Sequence, residues 1–341
     1  MKLDFSTALS SFFEDYLSSE RGVSPNTIRS YSGSFVLLLE YFFSKKNIPA
    51  EKIKLTDISR TNVVGFLEWL ESDKKSTVST RNQRLAAIHS FCKKMQYEDV
   101  QHLQQWQEVL SIKAKKSIRP TVNYLTMEGM KLLLAQIPQN TRKGRRDLTM
   151  LALLYETGAR VQELADLRPI DLTLTTPSYV TLFGKGSKKR LVPIQQAVVH
   201  MLKDYLEENN LNEPRMNQRP LFQNNSGSQL TTAGIAYILK EYVAMARTAS
   251  DGLIPDKLSP HCIRHSKAMH LLQSGVNLVY IRDILGHVSV QTTEIYARAD
   301  SKLKREALEK AYEPVMPTAG SSLPSWQREP KLKEWLKSLG K

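Results

Sequence analysis

Cysteine is nearly missing from this chain: 341 residues include only Cys92 and Cys262. Two isolated thiols cannot make a disulfide framework, and without a CxxC spacing they cannot frame a zinc ribbon or finger. Long apolar runs are lacking too. Stretches such as MLALLY, from Met150, fall far short of the ~20 residues that a membrane-spanning helix needs. The N-terminal MKLDFSTALSSFFEDYL interrupts its apolar residues with Asp4, Glu14 and Asp15, which argues against a secretory signal and makes the bacterial cytoplasm the expected location. No internal repeat or low-complexity tract occurs. Acidic residues are in deficit, 34 Asp and Glu against 48 Lys and Arg, for a formal charge of +14. A surplus of that size points to a polyanionic partner, most simply nucleic acid.

The apolar share of 41% and charged share of 24% suit a folded chain, and the length exceeds what one core usually holds. Two domains and a tail are expected. In the first, helical spacing links Phe5, Leu9, Phe12, Phe13 and Tyr16, and Ser24-Pro25 opens a second helix with apolar face Ile28, Tyr31, Phe35, Leu38, Leu39 and Phe42. A third helix after Thr61 buries Val64, Phe66, Leu67 and Leu70. The fourth, STRNQRLAAIHSFCKKM, buries Leu85, Ile88 and Phe91 and carries Arg81, Arg84, Lys93 and Lys94 as a basic helix. Residues 1–110 thus read as a helical domain. The basic segment 111–126, with Lys113, Lys115 and Lys116, reads as a linker able to track phosphates.

Helical patterning resumes at Met127 and strengthens through RRDLTMLALLYETG, with Gly158 as a C-cap and a new helix near Arg160. SYVTLF and RLVPI are strands flanking the glycine-rich turn GKGSKK, so a hairpin sits within a helical domain, 127–312. Arg160 and Glu163 are three apart and share a helix face. Lys185 occupies the hairpin turn, and the GxxxxGK[ST] frame of a nucleotide-binding loop is absent. Ser259-Pro260 opens a helix whose first turn holds His261 and Arg264, a plausible cradle for an anion. His261 and His265, four apart, could instead be read as a zinc pair, but there is no HExxH glutamate or obvious third ligand. Asn277 caps a helix with Val279, Ile281 and Ile284 inward, Gly286 stops it, and His287 sits at the break before the helix of Tyr296.

The succession of Arg, Lys, His-x-x-Arg, His and Tyr resembles that of the tyrosine recombinase (phage integrase) family. The resemblance runs from about Phe5 to Ala311 and is sharpest in TGARVQELADL, GKGSKKRLVP, HCIRHSKAMHLLQSGVNLVYIRDILGH and TTEIYAR. It implies a mainly α fold with a small antiparallel sheet, arranged as a two-domain C-shaped DNA clamp with a SAM-like core-binding domain and a catalytic domain. It implies site-specific recombination of DNA, as in the integration or excision of a mobile element, through a 3′-phosphotyrosyl intermediate and with no metal, ATP or other cofactor.

By the same resemblance Tyr296 is the nucleophile, and Arg160 and Arg264 hold the phosphate. Lys185 protonates the leaving 5′-oxygen, His261 helps accept the tyrosine proton, His287 bonds the phosphate and Glu163 orients His261 or Arg160. Arg81, Arg84, Lys113, Lys115 and Lys116 are expected to contact double-stranded DNA. The family's assembly is a homotetramer on two duplexes, and an accessory directionality factor is conceivable. The tail, 313–341, carries Leu332, Trp335, Leu336 and Leu339 as an apolar stripe beyond the hinge-like PTAGSSLPS, and is expected to dock on a neighbouring protomer. The competing readings are a type IB topoisomerase and a non-catalytic DNA-binding or architectural protein.

Overall fold

The computed structural model describes residues 4–116, 122–184, 188–250, 252–299 and 332–339. The chain divides into two compact units, Met1–Pro120 and Thr121–Lys341. The first is helical. Helix α1, Phe5–Ser11, is capped by Asp4, whose carboxylate accepts from the Thr7 N–H at 2.7 Å, and runs into a π-helical stretch, Phe12–Glu20. Helix α2, Pro25–Lys46, starts at the Ser24 cap and stops where Asn47 turns left-handed at φ 53°. Helices α3 (Arg60–Ser72), α4 (Val78–Glu98) and α5 (Leu103–Leu110) follow.

Aromatic rings fill the centre of this unit. Phe12 meets Phe91 edge-on at 5.4 Å and Phe35 at 5.9 Å, and Phe91 in turn meets Trp106 edge-on at 6.2 Å, joining α2, α4 and α5 around one cluster. Each such pair adds about 0.5–1.5 kcal/mol beyond the area it buries. In α3 the inward residues are Val63, Phe66, Leu67, Trp69 and Leu70, so Val63 rather than Val64 is fully buried.

The four cations that make α4 a basic helix differ in exposure. Arg81 and Lys94 are buried because the helical period places them with Leu85, Ile88, Phe91 and Met95. Lys94 pairs with Glu98 and Ser11, Arg81 donates to Asn82 Oδ1, and Arg84 donates to the Ser30 carbonyl and Ser34 hydroxyl of α2. Only Lys93 projects outward. The segment read as the start of a linker is also fastened down within this unit. Asn82 donates to the Lys115 carbonyl (2.8 Å) and accepts from its N–H (3.0 Å), Lys115 Nζ reaches Glu71, and Ile112 is buried in the core. Lys113 and Lys116 remain exposed.

The second unit is built on α7 (Arg142–Thr157), whose Met150, Leu151, Leu153 and Leu154 are all buried; α6 (Met127–Ala135) precedes it. A helix apolar on so much of its circumference must be covered on several sides. It is wrapped by α9 (Gln196–Glu208), α10 (Thr232–Ala249) and α11 (Pro260–Gln273). A short helix, α8 (Val161–Ala165), leads to a three-stranded antiparallel sheet of β1 (Leu172–Thr173), β2 (Tyr179–Phe183) and β3 (Lys189–Pro193), in that order, with Val180 opposite Val192. Strand β1 adds to the expected hairpin.

Helices α12 (Leu278–Leu285) and α13 (Val290–Ala299) pack with α11 into a smaller cluster that includes Met269, Ile281, Leu285 and Tyr296. Asn277 caps α12 as expected, accepting from the Val279 N–H at 2.8 Å. Val279, however, faces outward. The inward row is Leu278, Ile281 and Leu285, three and four apart, and Val279 lies off that row. The C-terminal helix spans Leu332–Ser338, with Leu336 and Leu339 exposed; the hinge-like stretch before it lies outside the described residues. No helix among the described residues is long and apolar enough to cross a membrane.

Candidate active site

Two left-handed glycines set the geometry. Gly158 (φ 57°) ends α7 and Gly286 (φ 65°) ends α12, conformations that cost a side-chain-bearing residue but not glycine. The chain leaves Gly158 extended, and Arg160 caps α8 while Glu163 accepts its backbone N–H at 2.8 Å. Arg160 Nη1 also donates to Glu163 at 2.8 Å, and Nη2 approaches the Gly286 carbonyl at 3.4 Å.

Arg264 comes from one turn into α11 and is almost fully buried. Its two terminal nitrogens donate to the Gly158 and Leu285 carbonyls, each at 2.6 Å. Those carbonyls belong to the C-terminal ends of α7 and α12, where backbone acceptors lack intrahelical partners and the helix dipole favours a cation. Burial, and next the charge of Arg160, draw the Arg264 pKa down to about 10, so it stays protonated near neutrality. Five N–H donors are available on a guanidinium, and two are committed here, which leaves others for an anion.

Glu163 is buried between two arginines. Burial works to raise its pKa, but hydrogen bonds from Arg190 and from the Arg160 N–H, with the charges behind them, prevail and hold the carboxyl below its ordinary range. Arg190, on β3, also donates through Nε to the Ile284 carbonyl at 2.9 Å, tying the sheet to the end of α12. It was not singled out from the sequence, although strand alternation puts it on the face of buried Val192. Gly184 closes the hairpin turn by donating to the Lys188 carbonyl at 2.9 Å; Lys185 lies outside the described residues.

His287 follows Gly286, and its Nδ1 is paired with Thr293 Oγ1 at 2.9 Å. Burial, then the positive charges of Arg264, Arg160 and Arg190, press its pKa down to about 4, so the ring is neutral. Tyr296, on α13, is 1% exposed, and burial raises its pKa against the opposing pull of Arg264 and Arg160. Its hydroxyl is hydrogen-bonded to His265 Nδ1 at 2.8 Å. His261, one turn earlier on α11, is exposed, and the ring that meets Tyr296 is that of His265. Of the two partners expected for Glu163, it engages Arg160, and Arg190 besides. Among the described residues no group of three or more His, Cys, Asp or Glu is arranged to hold a metal ion.

Arg160, Arg264, His287 and Tyr296 are thus brought together with Glu163, Arg190 and His265. Fixed cations beside a phenol can hold a phosphodiester and offset the charge that grows on it under attack.

The phage integrase family model matches residues 123–302, and the model of the phage integrase N-terminal SAM-like domain matches residues 11–97. The chain is 36% identical over 302 residues to a putative integrase/recombinase, y4rC, of Sinorhizobium fredii, covering 89% of this chain and 90% of that one. It is 34% identical over 310 residues to the tyrosine recombinase XerD of Oceanobacillus iheyensis, covering 90% and 98%. Among solved structures, the XerH site-specific recombinase bound to its difH substrate superposes with a TM-score of 0.65 at 25% identity, over 89% of this chain and 85% of that one.

Proposed function

This chain belongs to the phage integrase family and is a site-specific tyrosine recombinase, and from that premise we propose the roles its residues take. The substrate is double-stranded DNA, a polyanion that a charge of +14 suits. Tyr296 Oη attacks a phosphodiester, a 3′-phosphotyrosyl bond forms, and the 5′-oxygen departs. The bond energy is held in that linkage until the 5′-hydroxyl of another strand attacks it, so neither ATP nor a metal is needed.

The observation that carries this reading is the placement of the Tyr296 phenol within the field of Arg264 and Arg160. Their unspent donors bind the non-bridging oxygens and stabilise the pentacoordinate phosphorus; losing either costs roughly a hundredfold or more in rate. Neutral His287, its Nδ1 occupied by Thr293, keeps Nε2 for the same phosphate. His261, exposed in the first turn of α11, contributes to phosphate binding at that helix end. Lys185 supplies the proton that turns the departing alkoxide into an alcohol. Glu163 and Arg190 position Arg160.

Outside the site, exposed Lys113 and Lys116 track the DNA backbone. Arg81, Arg84 and Lys115 are bound up in contacts within the N-terminal unit and contribute less than their charge suggests. Strand exchange requires four such sites, hence a homotetramer on two duplexes in the bacterial cytoplasm, with any directionality factor acting on that assembly. The exposed Leu336 and Leu339 of the C-terminal helix suit docking on a neighbouring protomer. Relatives named recombinase and integrase do not favour a topoisomerase or a non-catalytic DNA-binding protein.

The test is to incubate the chain with nicked duplex DNA that carries the element's end and to map the adduct. The wild type should become linked through Tyr296, while Tyr296→Phe should bind the DNA and form no adduct. Attachment of the Phe variant to the same strand would refute the assignment.

A further inference from the structure

The hydrogen bond between α11 and α13 was not anticipated, and it bears directly on the reacting atom. A phenol that attacks phosphorus must lose its proton. At 1% exposure Tyr296 has little access to bulk water as the acceptor, and an unpartnered phenolate in that setting is costly. His265 Nδ1 lies 2.8 Å from Oη, within reach for direct proton transfer. The other two histidines nearby are less well placed. His261 is exposed, and the His287 ring lies nearly parallel to the Tyr296 ring, 13° apart with centroids at 6.4 Å, farther than the 5.6 Å of the His265 ring. The His287 Nδ1 is also taken by Thr293.

We propose that His265 is a catalytic residue of this recombinase, receiving the Tyr296 proton at Nδ1 as Oη bonds to phosphorus and returning it when rejoining expels the tyrosine. The proposal rests on Tyr296 being the nucleophile. In the forward step the Oη–H bond breaks and its proton passes to Nδ1, while the Oη–P bond forms and the P–O5′ bond breaks. The 5′-oxygen is protonated separately, by Lys185, so one proton is gained by the imidazole and one is lost by the lysine. Rejoining reverses both transfers.

The groups facing His265 tune this exchange. His261 and Arg264 flank it on its own helix, Tyr296 meets it from α13, and His287 adds to the same field from the turn before α13. Burial, followed by the charges of His261 and Arg264, lowers the His265 pKa and so favours the neutral ring, which can accept a proton at Nδ1 in its Nε2–H tautomer. Once formed, the imidazolium stands beside Arg264, so it readily gives the proton back.

The experiment measures single-turnover adduct formation on a nicked duplex carrying the site that the wild type cuts, with wild type, His265→Ala, His265→Gln and His261→Gln. Equal DNA binding and thermal melting identify the folded variants, and His265→Gln keeps side-chain volume should the alanine variant fold poorly. Expected is a slowing of about 10²–10⁴-fold in both His265 variants. Added imidazole should restore cleavage by His265→Ala in a saturable way, more strongly as pH rises through the imidazole pKa. His261→Gln, lacking a phosphate contact, should be slowed without responding to imidazole. Cleavage by His265→Ala at close to the wild-type rate, or a slow, folded variant indifferent to imidazole, would overturn the proposal while leaving Tyr296 as nucleophile. Failure of the wild type to form an adduct at Tyr296 would overturn both.

Discussion

Arg190 grips Glu163 at two points, with Nη1 2.9 Å from Oε1 and Nη2 2.6 Å from Oε2, and the same carboxylate accepts from Arg160. One buried anion therefore fixes strand β3 and Arg160 together. Glu163→Gln keeps the shape and removes the charge, leaving two cations without their counterion. Stability should fall by about 3 kcal/mol, the scale of breaking a buried pair, seen as a lower urea midpoint. Because the folded pKa of Glu163 is held down, the stability it lends is present above the ordinary carboxylate value and is lost as pH falls through the lowered one. A Gln variant with the wild-type midpoint at pH 7 would contradict this.

His287 adds to the same loss of stability in acid by a different route. Its pKa falls from 6.5 to about 4 on folding, so between those values the unfolded chain binds a proton that the folded chain refuses. Stability therefore drops as pH is lowered through that window, and His265 and His270, both depressed mainly by burial, act in the same direction. Melting temperature against pH should fall less steeply over the window in His287→Gln than in wild type.

Gly286→Ala should harm both stability and cleavage. The φ of 65° strains any Cβ, and a Cβ there would lie 2.9 Å from Arg190 Nη1 and 3.0 Å from its Cδ. Gly275→Ala is the control, since φ is 82° but nothing lies within 4 Å. Backbone strain of about 1–2 kcal/mol is common to both. Only the Gly286 variant should also cleave slowly, through displacement of Arg190 and the turn that carries His287. Equal cleavage rates for the two variants would count against that coupling.

Lys185 is testable through its leaving group. Lys185→Ala should cut ordinary DNA slowly, because an alkoxide needs a proton to depart. If sulfur replaces the bridging 5′-oxygen, a thiolate leaves unaided, and the variant should approach the wild-type rate. A defect that persisted on the sulfur substrate would assign Lys185 to some other step.

Much of this was legible in the sequence because local rules sufficed. Ser24, Asn277, Gly158 and Gly286 mark helix ends through their own backbone and side-chain chemistry, and the structure places each at such an end. Arg190 was harder to find, since it ends a run with Lys188 and Lys189, and composition treats such cations alike. The clue was period two: Arg190, Val192 and Ile194 share a face. Arg81 and Lys94 were misread for a related reason, that charge suggests solvent, whereas their spacing from Leu85 and Phe91 places them inward. His265 could not be separated from His261 by spacing at all. Which of the two meets Tyr296 depends on how α13 settles against α11, a long-range packing outcome that no window of sequence contains.

Arg264 holds the ends of two helices with its two terminal nitrogens. A lysine has a single head and could satisfy one of those ends while deserting the other, so even the mildest exchange of cations unfastens a joint of the scaffold. Carpentry is thus vested in the same side chain as the proposed hold on phosphate, and no replacement can withdraw the second while sparing the first.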